Sequence, residues 1–195
     1  MVSGTPVQDP VEGIVDEAKL SLGSPSIDDM GNAAGNPPLC DANDGRQSAA
    51  ALAIRRGTCR LLASLGFAPL AEVPLPNGRR ADLAAIGRAG EIWIVEIKSC
   101  LADFHADGKW PEYREFADRL WFAVGPEFPR HVLPEGAGLI VADRFGAEIL
   151  REAPTHKLSP PRAKALHLRL ARLAAHRLQS LADPDARFDA GWRGE

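Results

Sequence analysis

The chain has 195 residues, room for one ordinary domain and an appendage rather than two full domains. At 45% hydrophobic residues it can bury a core, and its net charge of −3 excludes no partner class by itself. Cys40, Cys59 and Cys100 are too few and too widely spaced for a disulfide framework or a CxxC zinc pair, which suits a reducing cytosol. Apolar runs such as 120–125 and 136–142 are too short to span a bilayer. The start has no basic stretch followed by an apolar one, so neither a secretory signal nor a membrane partner is expected. The expected location is cytoplasmic.

The average charge hides an asymmetry. Residues 1–45 carry eight acids against Lys19, with five prolines, six glycines and no aromatic residue. Such a segment buries too little surface to offset the entropy of ordering, about 1–2 kcal/mol per residue. It reads as a disordered acidic tail ahead of a core over 46–152. From Arg151 to Ala182 there are seven Lys/Arg and one acid, Glu152. Residues 153–195 are therefore read as a basic C-terminal helix and tail.

In chain order, 48–66 predicts a helix capped by Ser48 and closed by Gly66, with Ala51, Ile54, Thr58, Leu61 and Leu65 as its buried stripe. Strands follow at 70–75, 79–87 and 91–99, separated by the turn signals PNG (76–78) and RAGE (88–91). Two hairpins in succession make an antiparallel meander. A short helix is expected at about 110–117, with Asp107 as cap and Pro111 in its first turn. Apolar runs at 119–125 and 138–143 are of strand length, and 145–152 suits an edge strand. The last helix, 159–182, has Ser159 as cap and Leu166, Leu170, Leu173 and Leu181 as its buried stripe. The order α-βββ-α-ββ(β)-α describes an α/β fold, a mixed sheet flanked by helices.

The strand 91–99 changes character halfway. Its first residues are core-like, whereas Glu96 and Lys98 point to one side, about 7 Å apart. Charges beside such an apolar run are costly unless they pair or bind something. Asp82, on the preceding strand, can approach Glu96. Two converging carboxylates call for a cation, and oxygen ligands favour Mg²⁺ or Mn²⁺. A neighbouring lysine can orient water or hold a phosphate oxygen. The competing reading is a structural Glu96–Lys98 ion pair at a sheet edge.

This order of elements, with Asp on the second strand and Glu-x-Lys on the third, resembles the PD-(D/E)XK nuclease superfamily and its αβββαβ core. GRRADLAAI (78–86), WIVEIKS (93–99), Asp103–Phe104, DGKWPEYREFADRLWFAV (107–124) and RRGTCRLL (55–62) are together similar to the MmcB family of DNA-repair, endonuclease-like proteins. The resemblance covers about residues 48–152. It implies a DNA endonuclease of the damage response, DNA as partner with other repair proteins possible, and a Mg²⁺ or Mn²⁺ ion at Asp82, Glu96 and the Ile97 carbonyl. It also implies that Lys98 assists the attacking water. Many superfamily members add an acid from the first helix. This chain has none between Asp44 and Glu72, so Glu72 on the first strand is the candidate substitute. Without it the scaffold could serve as a DNA-structure-binding module instead.

Other candidates flank this centre. Asp103 supports the site or caps a turn. Lys109 sits near phosphate or in solvent. Trp110 and Tyr113 stack on nucleic acid or pack on the sheet, with packing favoured for Trp110. Arg79 and Arg80 contact phosphate or edge a hairpin. On the last helix Arg169, Arg172 and His176 cluster opposite the leucine stripe, towards DNA or simply towards solvent. The five histidines show no metal-ligand spacing and are read as solvated. No GxxxxGK[ST] or GxGxxG is present, which argues against nucleotide-driven chemistry.

Overall fold

The computed structural model describes residues 48–185 except Asp107 and Lys109. The acidic tail lies outside the described residues, as does the end of the C-terminal region. Among the described residues, six strands form one sheet in sequence order: β1 (Ala68–Pro74), β2 (Arg80–Ile86), β3 (Ile92–Lys98), β4 (Arg119–Val124), β5 (Gly138–Ala142) and β6 (Ala147–Arg151). The pairs β1–β2, β2–β3 and β5–β6 are antiparallel, while β3–β4 and β4–β5 are parallel. The meander and the mixed sheet are thus as read from the sequence. Gly78 and Gly90 take positive φ in the two hairpin turns, which is why PNG and RAGE end strands there.

Helix α1 (Ala49–Ser64) starts where Ser48 Oγ accepts the Ala51 amide at 3.1 Å. Its buried residues are Ile54, Gly57, Thr58 and Leu62. Leu65, expected in that stripe, is 48% exposed. The stripe swings towards Gly57 because that residue lies against the turn between β5 and β6. A Cβ on Gly57 would run into the carbonyl oxygens of Asp143 and Gly146. Arg60 donates to the carbonyls of Arg144 and Phe145 at 3.1 and 2.9 Å, fastening the helix to the same turn.

Two core layers follow from strand alternation. Leu83, Ala85, Trp93, Val95, Ile97 and Trp121 face α1. Ala84, Ile92, Ile94 and Leu120 face the other way, towards Tyr113, Phe116 and the C-terminal helix α3 (Pro160–Ala182). The even-numbered positions of β3 therefore point to the α3 side, and Glu96 and Lys98 are among them.

Several sequence-based expectations are corrected. A short helix, α2 (Leu101–Ala106), follows β3 where no element was expected. The segment Trp110–Phe116 is a 3-10 helix, η1, rather than an α-helix. The edge strand is shorter than 145–152. Ser159 occupies the N-cap of α3 but makes no side-chain cap bond, and Leu181 is 79% exposed, so the stripe ends at Leu173. His167 is not simply solvated: its Nε2 lies 2.8 Å from the Gly90 carbonyl. Among the described residues Cys59 is a free thiol. Among the described residues no helix is long and apolar enough to cross a membrane.

Candidate active site

The ladder between β2 and β3 runs from Ile86↔Ile92 to Leu83↔Val95 and then stops. One step further, the same register sets Asp82 opposite Glu96. There the side chains take over the backbone's bonds. Asp82 Oδ2 accepts the Ile97 amide at 2.8 Å, and Glu96 Oε1 accepts the Asp82 amide at 3.3 Å. The strands part at this point without leaving buried donors unpaired. Each of these bonds uses one oxygen of its carboxylate.

All seven residues of β3 are buried, the charged ones included: Glu96 is 2% exposed and Lys98 4%. An acid and a lysine this deep in a central strand are tolerated only in each other's field or with further partners. The field is shared. Burial raises the Asp82 carboxyl above the usual aspartate range; the Ile97 amide and the Lys98 ammonium oppose that shift, and the negative charges of Glu72 and Asp103 add to it. Asp82, Lys98, Glu72 and Asp103 thus belong to one electrostatic site, although they come from β2, β3, β1 and α2.

Asp103 is exposed on α2, and its Oδ2 accepts the Ser99 amide at 3.3 Å, so it caps the chain as it leaves β3. Glu72 is the one non-glycine residue with positive φ among the described residues, at 52°. It lies between the pairs Ala71↔Leu83 and Val73↔Ala81, hence opposite Asp82. A left-handed glutamate within a strand costs about 1–3 kcal/mol, and such strain gathers at functional sites.

Arg79 and Arg80 both meet carboxylates. Arg79 forms a two-bond pair with Glu112, at 3.0 and 3.1 Å, and Arg80 Nε lies 2.7 Å from Glu72. Trp110 packs edge-on against Phe122 with Arg114 over its ring, and Tyr113 is buried with its hydroxyl 3.4 Å from the Arg80 carbonyl. Both aromatics therefore pack on the protein. Lys109 lies outside the described residues. On α3, Arg172 is exposed, whereas Arg169 donates to the Pro74 carbonyl at 2.8 Å.

Two residues escaped the sequence reading. Asp118 accepts the amides of Ile92 and Leu158, at 2.8 and 2.9 Å, and ties the segment before α3 to the start of β3. Arg177 of α3 donates to the carbonyls of Ala71 and Glu72, the latter at 2.7 Å. A signal for Arg177 existed: it continues the spacing Leu166, Leu170, Leu173 by four.

The donor set suits a hard cation. Mg²⁺ and Mn²⁺ take oxygen ligands, and Mg²⁺ commonly uses one or two carboxylates with water and substrate phosphate completing its shell. Asp82, Glu96 and the Ile97 carbonyl match that requirement in kind. Among the described residues no three His, Cys, Asp or Glu side chains form a ready-made metal cage.

The chain is thus an α/β protein with a buried acid-and-lysine cluster where its central strands part. A family model described as "DNA repair protein MmcB-like" matches residues 38–185, and the chain belongs to that family. Its fold is similar to that of the SPO1766 protein of unknown function from Silicibacter pomeroyi, at 43% identity and a TM-score of 0.70, over 74% of this chain and 100% of that one. A repair endonuclease from Pyrococcus abyssi aligns over 45% of this chain and 41% of its own, at 21% identity and a TM-score of 0.29, too low to bear on fold or function. Comparison with curated proteins gave no match.

Proposed function

We propose that this DNA-repair family member is a metal-dependent DNA endonuclease of PD-(D/E)XK type, with Asp82, Glu96 and Lys98 as its catalytic residues. One observation carries the reading: a buried Glu-x-Lys on the central strand meets a half-buried aspartate where the β2–β3 ladder ends. Asp82, Glu96 and the Ile97 carbonyl would hold Mg²⁺ or Mn²⁺, with Glu72 and Asp103 adding negative charge around them. The bound ion would supply Lewis-acid polarisation and neutralise charge at the scissile phosphate. Lys98 donates to the attacking water or to a phosphate oxygen and so orients the reactants. The water oxygen forms a new P–O bond, the bond to the leaving oxygen breaks, and a proton ends on that oxygen.

A second reading has its own observation. No group of three metal-ligating side chains is preassembled among the described residues, which favours a DNA-binding repair factor that has kept the nuclease architecture with little catalysis. Cleavage assays on flap, nick, junction, mismatch and single-stranded DNA, with Mg²⁺, Mn²⁺ or chelator, separate the two. Metal-dependent cuts lost in Lys98→Met support the endonuclease; binding without cleavage under every condition supports the factor.

A further inference from the structure

The Ala71 and Glu72 carbonyls both face the guanidinium of Arg177, with Nη2 2.7 Å from the Glu72 oxygen. In a regular strand successive carbonyls point to opposite edges. The two can share one partner here because the backbone turns over at Glu72, where φ is 52°. That turn removes Glu72 from the β1–β2 ladder, whose pairs continue at Ala71 and Val73 on either side. Its carbonyl then needs another donor. β1 is an edge strand, so the donor comes from outside the sheet, from α3. A second arginine of α3, Arg169, holds the Pro74 carbonyl of the same strand.

We infer that Arg177 is a positioning residue: by holding both carbonyls of the inverted Ala71–Glu72 segment, it keeps the Glu72 carboxylate on the Asp82 side as further negative charge around the cation site. This inference rests on the endonuclease reading for the purpose of the site, though not for the backbone geometry. Two observations place the Glu72 carboxylate there. Glu72 lies opposite Asp82 in the register of β1 and β2, and its carboxylate pairs at 2.7 Å with Arg80, two residues before Asp82. The fork of a guanidinium matches the task, since two N–H groups reach two carbonyls at once; a lysine offers a single point charge. The basic C-terminal helix thereby acquires a role in shaping the site.

The test uses the full chain and two readouts, one independent of activity. The Cα and Cβ chemical shifts of Glu72 report its backbone conformation, and calorimetric titration with Mn²⁺ reports the cation site. Arg177→Ala should move the Glu72 shifts from left-handed to extended values and weaken Mn²⁺ binding about 3- to 10-fold. Arg177→Lys should behave almost as poorly as the alanine variant. In a Glu72→Gln background, Arg177→Ala should cost no further Mn²⁺ affinity. Unmoved Glu72 shifts in Arg177→Ala would overturn the inference. So would moved shifts with unchanged Mn²⁺ affinity, or losses from the two substitutions that simply add. If the wild-type chain takes up no Mn²⁺ while the shifts still move, the endonuclease reading has failed, and with it the cation-site purpose of Arg177; the backbone clamp itself is then established.

Discussion

Asp82 and Glu96 stand opposite each other on β2 and β3, and each carboxylate accepts a backbone amide that the ladder has given up. The two acids therefore bridge the strands with their side chains where the backbone ladder ends. Such an arrangement costs stability in the free protein and is what a site built for a ligand looks like.

Asp82→Asn is expected to stabilise the metal-free protein at neutral pH by about 0.5–2 kcal/mol. The asparagine oxygen can still accept the Ile97 amide. The pH dependence follows from the raised Asp82 carboxyl. The folded state is favoured while the group is neutral, below the unfolded value of about 4, and that advantage is lost as pH rises through the folded value. Melting curves of the two proteins should coincide in acid and separate as pH rises. A constant gap at all pH values would show that burial of this carboxyl has no part in it.

Lys98→Met keeps the length of the stem and removes the charge. Cleavage should fall about 10²- to 10⁴-fold, the usual worth of a positioned proton-handling group. DNA affinity should hold, because it rests mostly on phosphate contacts spread over the surface. The opposite pattern, early melting by about 3–5 kcal/mol, would mark Lys98 as half of a structural pair. One nuclease assay and one melting curve distinguish them.

The two α3 arginines should separate cleanly. Arg169 is half-buried on the Pro74 carbonyl, so Arg169→Ala should cost about 1–2 kcal/mol of stability. Arg172 is exposed. Arg172→Ala should leave the melting temperature unchanged and, if α3 lies along DNA, lower the salt slope of binding by about 1. An unaltered slope moves the DNA to another face.

Gly57→Ala should be among the most damaging single-methyl changes. The added Cβ meets two backbone carbonyls, which cannot rotate away as a side chain can. Overpacking of this kind costs about 1–3 kcal/mol or more, and helix propensity returns at most about 1 kcal/mol. Urea unfolding of the variant measures the balance; a stabilised protein would mean that α1 does not bear on the β5–β6 turn.

The sequence alone determined the order of elements, the meander, the mixed sheet and the pairing of Asp82 with Glu96 and Lys98. Those features are written in local signals: turn glycines, strand alternation, and a polarity change within one strand. It did not disclose α2 or the 3-10 geometry of 110–116, where short segments are decided by what they pack against. Nor did it place Leu62 in the core ahead of Leu65, since the twist of α1 answers to the distant turn at Asp143 and Gly146. Arg79 and Arg80 looked available for phosphate, yet Arg79 meets Glu112, distant in the chain, and Arg80 meets Glu72 on the neighbouring strand. The inversion at Glu72 was the least legible feature. A glutamate does not favour positive φ, and the guanidinium that donates to its carbonyl and to that of Ala71 belongs to Arg177, more than a hundred residues away.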